Sequence, residues 1–204
     1  MNYYYRGAFG GSVSFDYMKK YSPVTLALIG INIVIYLFGM ITRTHGLIIM
    51  YGAMIPITDV IEYHQYWRFL TSMFIHGDFM HAAFNMVILM HSGAYFEQKN
   101  NSKSFLLFYI STGLFVSLCS GLFVNGYSIG ASGAIFALLG YILYYELQAR
   151  KHRIPTQSMV IPLVLINVVF SFIIPNVSVV GHLSGLLIGY LIPWWQNSQL
   201  LKRN

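Results

Sequence analysis

The chain has 204 residues, of which 56% are hydrophobic and only 9% charged, far below the roughly 25% charged residues of an ordinary globular domain. Its net charge of +6 does not mark a nucleic-acid binder, because the twelve basic residues lie between apolar runs and are not gathered on a polar face. A single cysteine, Cys119, excludes an intrachain disulfide framework and a cysteine-rich zinc site, and the composition as a whole points to lipid as the main solvent.

A hydrocarbon core about 30 Å thick needs about 18 to 20 apolar residues per crossing helix. Runs of about that length occur at 24–41, 79–96, 105–124, 129–147, 158–174 and 179–195. All six are expected to be helical, since lipid cannot hydrogen-bond a bare backbone. The second and fourth are the least apolar. Residues 1–20 read as a cytoplasmic tail and 21–204 as one domain, in which the apolar stretch after Lys20, with no small-residue cleavage site behind it, is an uncleaved first span. The connection 42–78 is rich in Tyr, Trp, Pro and His and is too long for a bare turn. The expected fold is therefore an all-α integral membrane protein, a six-transmembrane-helix bundle with a large structured outer loop between its first and second helices.

Orientation follows from Lys and Arg, which cytoplasmic loops retain. Arg6, Lys19, Lys20, Lys99, Lys103, Arg150, Lys151, Arg153, Lys202 and Arg203 fall on one side, leaving Arg43 and Arg68 on the other. Both termini are thus expected in the cytoplasm. With no organellar targeting segment ahead of the first span, the expected location is a bacterial plasma membrane.

Polar residues inside spans are costly and mark candidate sites. The second, fourth and sixth spans enter from the outer side, and each carries polar residues in its first turns: His81 and Asn85, then Ser132, then His182. At about 1.5 Å rise per residue these lie at similar shallow depth. Ser132 sits in Gly130-Ala131-Ser132-Gly133-Ala134, while Gly181, Gly185 and Gly189 line one face of the sixth span. Small residues at that spacing let helices approach closely in lipid, which would bring His182 to the Ser132 hydroxyl. A serine hydroxyl is a poor nucleophile unless a neighbouring base takes its proton. His81 and Asn85, four apart, share a helix face and, with a backbone amide at Ser132, can donate to the oxyanion of acyl transfer. No Asp or Glu lies within a span near this layer, since Glu97 and Glu146 belong to the inner ends and Asp59, Glu62 and Asp78 to the outer loop, so the site reads as a Ser-His dyad. Ala134 and the absent preceding strand separate it from the Gly-x-Ser-x-Gly elbow of soluble hydrolases.

These residues resemble the rhomboid intramembrane serine proteases in their six-span bacterial form, over nearly the whole chain after Lys20. The resemblance implies Ser132 as nucleophile within Gly130, Ala131, Ser132 and Gly133, and His182, followed by Gly185 and Gly189, as the catalytic histidine. It also implies that His76, His81 and Asn85 form the family's second-span pattern, the last two within its oxyanion hole. Phe136 is implied to pack on the catalytic imidazole, and Trp67-Arg68 to be the family's outer-loop pair. Gly93, Glu97 and Asn101 stand where the family usually shows glycine, glutamate and glycine. There Asn101 is expected to adopt the left-handed conformation that glycine would supply at a helix end. The implied substrate is a single transmembrane helix of another membrane protein within the lipid bilayer, unwound near its outer end and cut beside small side chains, with no metal or cofactor. The outer ends of the second and fifth spans and the link from Pro175 through Asn176 and Val177 to Ser178 are candidates for a gate and cap.

Other side chains read more plainly. His76 is expected to be a structural hydrogen-bonding residue, His91 a helix-pairing group, and His45, His64 and His152 solvated loop positions. Ser184 reads as packing, and Met73, Met80, Met86 and Met90 as filler around the second span. A transporter would need polar groups through the midplane, whereas here they are confined to one side. A zinc hydrolase built on His76, His81 and His182 would lack a carboxylate base and leave Ser132 unexplained. A relative that binds without cutting is disfavoured because both dyad residues are present.

Overall fold

The computed structural model describes residues 15–154, 156, 159–173 and 177–203. Ten α-helices and one 3₁₀ turn occur among them, with no strand. A short helix α1 (Phe15–Tyr21) precedes α2 (Pro23–Ile41). The connection to the next long helix holds α3 (His45–Gly52), α4 (Ile57–Glu62), α5 (Arg68–Thr71) and the 3₁₀ turn Ser72–Phe74. Then come α6 (Phe79–Lys99), α7 (Ser102–Phe123), α8 (Ser132–Lys151), α9 (Val160–Ile173) and α10 (Val179–Arg203).

Helix starts follow local chemistry. Pro23 occupies the first turn of α2, where its missing N–H costs nothing. Asp78 caps α6 by accepting from the His81 amide at 2.9 Å. Asn101 caps α7 by accepting from the Ser104 amide at 2.8 Å. Its backbone is extended (φ 172°), so the left-handed conformation expected there is not what it supplies. Asn instead satisfies a free amide of the following helix. Pro193 lies inside α10, which continues to Arg203, beyond the expected apolar run. Residues 129–131 lie ahead of the first turn of α8. Ser158 and Ile174, the expected ends of the fifth span, lie outside the described residues.

Helix α8 is the axis of the molecule, touching α6, α7, α9 and α10. Ala137, Leu138 and Leu139 at its centre are wholly buried. Around it the chemistry is inverted relative to a water-soluble protein: Ile41, Phe123 and Phe172 are 78%, 73% and 65% exposed. Apolar exteriors of this extent face lipid or a partner, not water. Helices α2 and α7 are each long and apolar enough to cross a bilayer, whereas α6 meets that test only jointly with the Arg68–Phe74 segment, bent by 92° from it. The exterior and these helices are those of a multi-pass membrane protein.

At one end Glu97, 2% exposed, gathers two helix starts. It accepts from the Val24 amide (3.0 Å), the Thr25 amide (2.8 Å), the Thr25 hydroxyl (2.7 Å) and the Ser102 hydroxyl (2.6 Å). An anion at the first turn of α2 and α7 satisfies free amides and opposes the helix dipoles.

At the other end the 42–78 connection is held by its Trp-Arg pair. The Arg68 guanidinium, 4% exposed, donates to the Ala53 carbonyl (2.6 Å), the Met50 carbonyl (2.9 Å) and Gln65 Oε1 (2.6 Å). Trp67 Nε1 donates to the Tyr51 carbonyl at 3.0 Å. Met54 and Ser128 exchange backbone hydrogen bonds of 2.9 and 2.8 Å, and the Gly130 amide donates to the Ser72 carbonyl at 2.9 Å. The connection therefore grips the chain just before Ser132. Met73 fills a groove at Gly113 of α7, but Met80 is 56% exposed and fills nothing. His45 is not a solvated loop position: its Nε2 lies 2.9 Å from the His76 carbonyl and its ring stands edge-on to Tyr36.

Candidate active site

Ser132 is the first residue of α8. The amides of a helix's first turn lack intrahelical partners and carry the positive end of its dipole, so a group bound beside Ser132 meets free N–H donors. Gly130 has φ +116°, a conformation that side chains rarely adopt, and a Cβ built on it would lie 2.7 Å from His81 Nε2 and 3.6 Å from Ser132 Oγ. Glycine here allows both the turn into α8 and the close approach of His81 to the backbone at Gly130.

His76, His81 and Asn85 reach this layer from the start of α6. The His76 ring, 1% exposed, stands edge-on to His81 at 5.0 Å. Its Nε2 accepts from the Ala131 amide at 3.4 Å. Burial lowers its pKa to about 3, and its hydrogen bond to the Ala131 amide links the segment before α6 to the turn before α8. Asn85 donates one Nδ2–H to the His81 carbonyl at 2.9 Å. A side-chain amide has a second N–H, which remains for another acceptor.

His182 arrives from α10 through glycines. A Cβ at Gly185 would strike the Gly133 carbonyl, one at Gly189 the Ala137 carbonyl, and one at Gly140 the Leu186 carbonyl. Backbone thus meets backbone along the α8–α10 seam. The His182 ring stacks on Phe136 with centroids 4.0 Å apart and planes 13° from parallel. Its Nδ1 lies 2.6 Å from the hydroxyl of Ser171 on α9. Among the described residues no hydrogen bond joins Ser132 to His182. Catalytic hydrogen bonds often tighten only when substrate is bound.

Sequence reasoning missed Ser171. The available signal was a polar residue in an apolar span eleven positions before His182. Ser184 donates to the Gly181 carbonyl at 3.3 Å, in keeping with packing. Among the described residues, no three His, Cys, Asp or Glu side chains are grouped to hold a metal ion, and the three histidines of the zinc reading form no such group. A cavity of about 20 Å³ lies against Ser132, lined also by Ser72, Ser117, Ser120, Ser128 and Ser178. It is large enough for about one water-sized molecule. Of the candidate gate and cap, Pro175 and Asn176 lie outside the described residues.

The family model described as "Rhomboid domain" matches residues 63–198. Over 133 residues the chain is 37% identical to the rhomboid protease GluP of Bacillus subtilis, covering 65% of this chain and 26% of that protein. It is 30% identical over 163 residues to rhomboid-like protease 2 of Toxoplasma gondii, covering 78% and 56%. With the putative rhomboid protease YdcA of Bacillus subtilis it shares 27% identity over 188 residues, covering 88% and 91%. The chain thus spans about a quarter of the first relative and just over half of the second. The matched segment contains His81, Asn85, Ser132 and His182 and more than half of the chain, and on this basis the chain belongs to the rhomboid family.

Proposed function

We propose that the chain is an intramembrane serine endopeptidase that cuts single transmembrane helices of other proteins near the outer membrane face. The observation that carries this reading is the seam where α8 and α10 touch through Gly133, Gly185 and Gly189, which stacks His182 on the Phe136 ring one turn from Ser132. In the reaction Ser132 Oγ attacks the scissile carbonyl while His182 Nε2 takes its proton and later gives it to the leaving amine. Water then releases the acyl group by the same two residues. The developing oxyanion is received by the free amides at the start of α8, by His81 and by the second Asn85 N–H.

Helices α2, α6, α7, α8, α9 and α10 are the six proposed spans, with both termini on the cytoplasmic side of the plasma membrane. The distribution of Lys and Arg supports that orientation. The site lies at the ends of α6, α8 and α10 remote from Glu97, Lys99 and Lys151, which supports an outer cut. A substrate helix must unwind there, because its carbonyls are otherwise spent in its own hydrogen bonds.

The test is cleavage of a reporter transmembrane helix in proteoliposomes. Ser132→Ala and His182→Ala are expected to be inactive yet folded, and a serine-reactive phosphonate is expected to label Ser132. Full activity in Ser132→Ala sinks the assignment, and loss of activity with chelator alone favours a metal instead.

A further inference from the structure

Ser171 lies in the last turn of α9 and is 2% exposed, between Phe170 and Phe172, which face outward. Its hydroxyl meets two groups: the Asn167 carbonyl at 2.7 Å and His182 Nδ1 at 2.6 Å. A hydroxyl has one proton to give and lone pairs to receive. If that proton goes to the Asn167 carbonyl, the oxygen accepts from Nδ1–H, and two protons make two hydrogen bonds. If it goes to Nδ1, only one bond forms, and the imidazole proton moves to Nε2, where it needs a further acceptor. The first arrangement is the better satisfied.

From this we infer that Ser171 is a positioning residue: its hydroxyl, oriented by the Asn167 carbonyl, accepts the Nδ1 proton of His182 and so holds the tautomer whose Nε2 lone pair is free. The inference rests on the reading of Ser132 and His182 as nucleophile and base. Phe136 fixes the plane of the ring, and Ser171 fixes which edge faces away from α9. A buried carboxylate often performs this task for a catalytic histidine. A neutral hydroxyl supplies the orientation and tautomer without a countercharge for the imidazolium, so its effect on rate is smaller. The contact also ties the general base to α9, a helix outside the α8–α10 seam.

The experiment compares the parent with Ser171→Ala and Ser171→Thr in proteoliposomes, measuring kcat and KM on the reporter helix and the rate of phosphonate labelling. Nitrogen NMR of histidine-labelled protein in micelles reads the His182 tautomer. In Ser171→Ala, kcat and labelling are expected to fall roughly ten- to hundred-fold, part of the 10²–10⁴ that a general base supplies. KM should hardly change, and the tautomers should become mixed. Ser171→Thr, which keeps the hydroxyl, is expected to recover most of the rate and the single tautomer. An unchanged kcat in Ser171→Ala, a fall in kcat with the tautomer unchanged, or an Nε2–H tautomer in the parent overturns the inference. Should Ser171→Ala fail to fold, the parent spectrum and the threonine variant decide. Failure of the underlying reading looks different: the phosphonate leaves Ser132 of the parent unlabelled, while the spectrum still reports what Ser171 holds.

Discussion

The two ends of the helix cluster both bury polar groups, but they spend them differently. Around Glu97 four donors converge on one carboxylate at 2.6 to 3.0 Å. Around Ser132 the polar groups are held yet left partly open: the serine hydroxyl makes no hydrogen bond among the described residues, and Asn85 has used one N–H of two. A fully satisfied buried network fixes geometry, whereas a half-exposed hydroxyl and a spare amide N–H keep hydrogen-bonding capacity for a further group. The Glu97 end therefore reads as structure and the Ser132 end as chemistry, and variants at each end should separate into changes of stability and changes of rate.

The largest effect expected is on rate alone. Ser132→Ala should lower reporter cleavage by roughly a millionfold, the scale seen when a serine nucleophile is removed, with an unaltered melting temperature in detergent. A large loss of thermal stability would place Ser132 with the structural end instead. Asn85→Ala comes next, expected to lower kcat roughly ten- to a thousandfold, the scale expected for one oxyanion donor. Its internal bond to the His81 carbonyl is a local helix contact, so little stability should be lost. If melting falls and kcat per folded molecule does not, Asn85 is a helix strut.

Glu97→Ala should do the reverse. Removing the acceptor leaves the buried Thr25 amide and hydroxyl, and the half-buried Val24 amide and Ser102 hydroxyl, without their partner, at a cost of about 2–3 kcal/mol. Phosphonate labelling of Ser132 in the folded fraction should be unchanged. A rate loss that exceeds the loss of folded protein would mean that the two ends are coupled.

How much of this was legible in the sequence depended on what each residue needs from its partner. Ser132, His182, His81 and Asn85 stood out because polar side chains in apolar runs are costly, and their offsets placed them at one depth. The spaced glycines foretold the α8–α10 contact because small residues have one strong use in lipid. Ser171 did not stand out, since a serine in an apolar helix ordinarily bonds its own backbone, and Ser171 does that as well as meeting His182. His45 was hidden because its partner is a backbone carbonyl, which every residue carries. Asn101 has two physical uses at a helix boundary, and composition does not say which helix it serves. The polar last turns of α10 follow the same logic, because hydropathy marks where lipid ends and not where a helix does.

Arg68 tests the border between the two ends. It belongs to neither the proposed dyad nor the Glu97 cluster, and it sits within the segment whose Ser72 carbonyl and Met54 backbone hold Gly130 and Ser128. Its guanidinium reaches three acceptors at once, two of them carbonyls near the end of α3. A lysine ammonium has donors but no planar fork for that spread. Arg68→Lys should therefore cost about 1 kcal/mol, the worth of one hydrogen bond, with a larger loss in Arg68→Ala. If the connection only covers the helices, stability falls and kcat holds. If it also sets the turn at Gly130, kcat falls with stability in both variants, and phosphonate labelling of Ser132 slows in proportion. The latter is expected, because the backbone bonds from Ser72 and Met54 end within four residues of the serine.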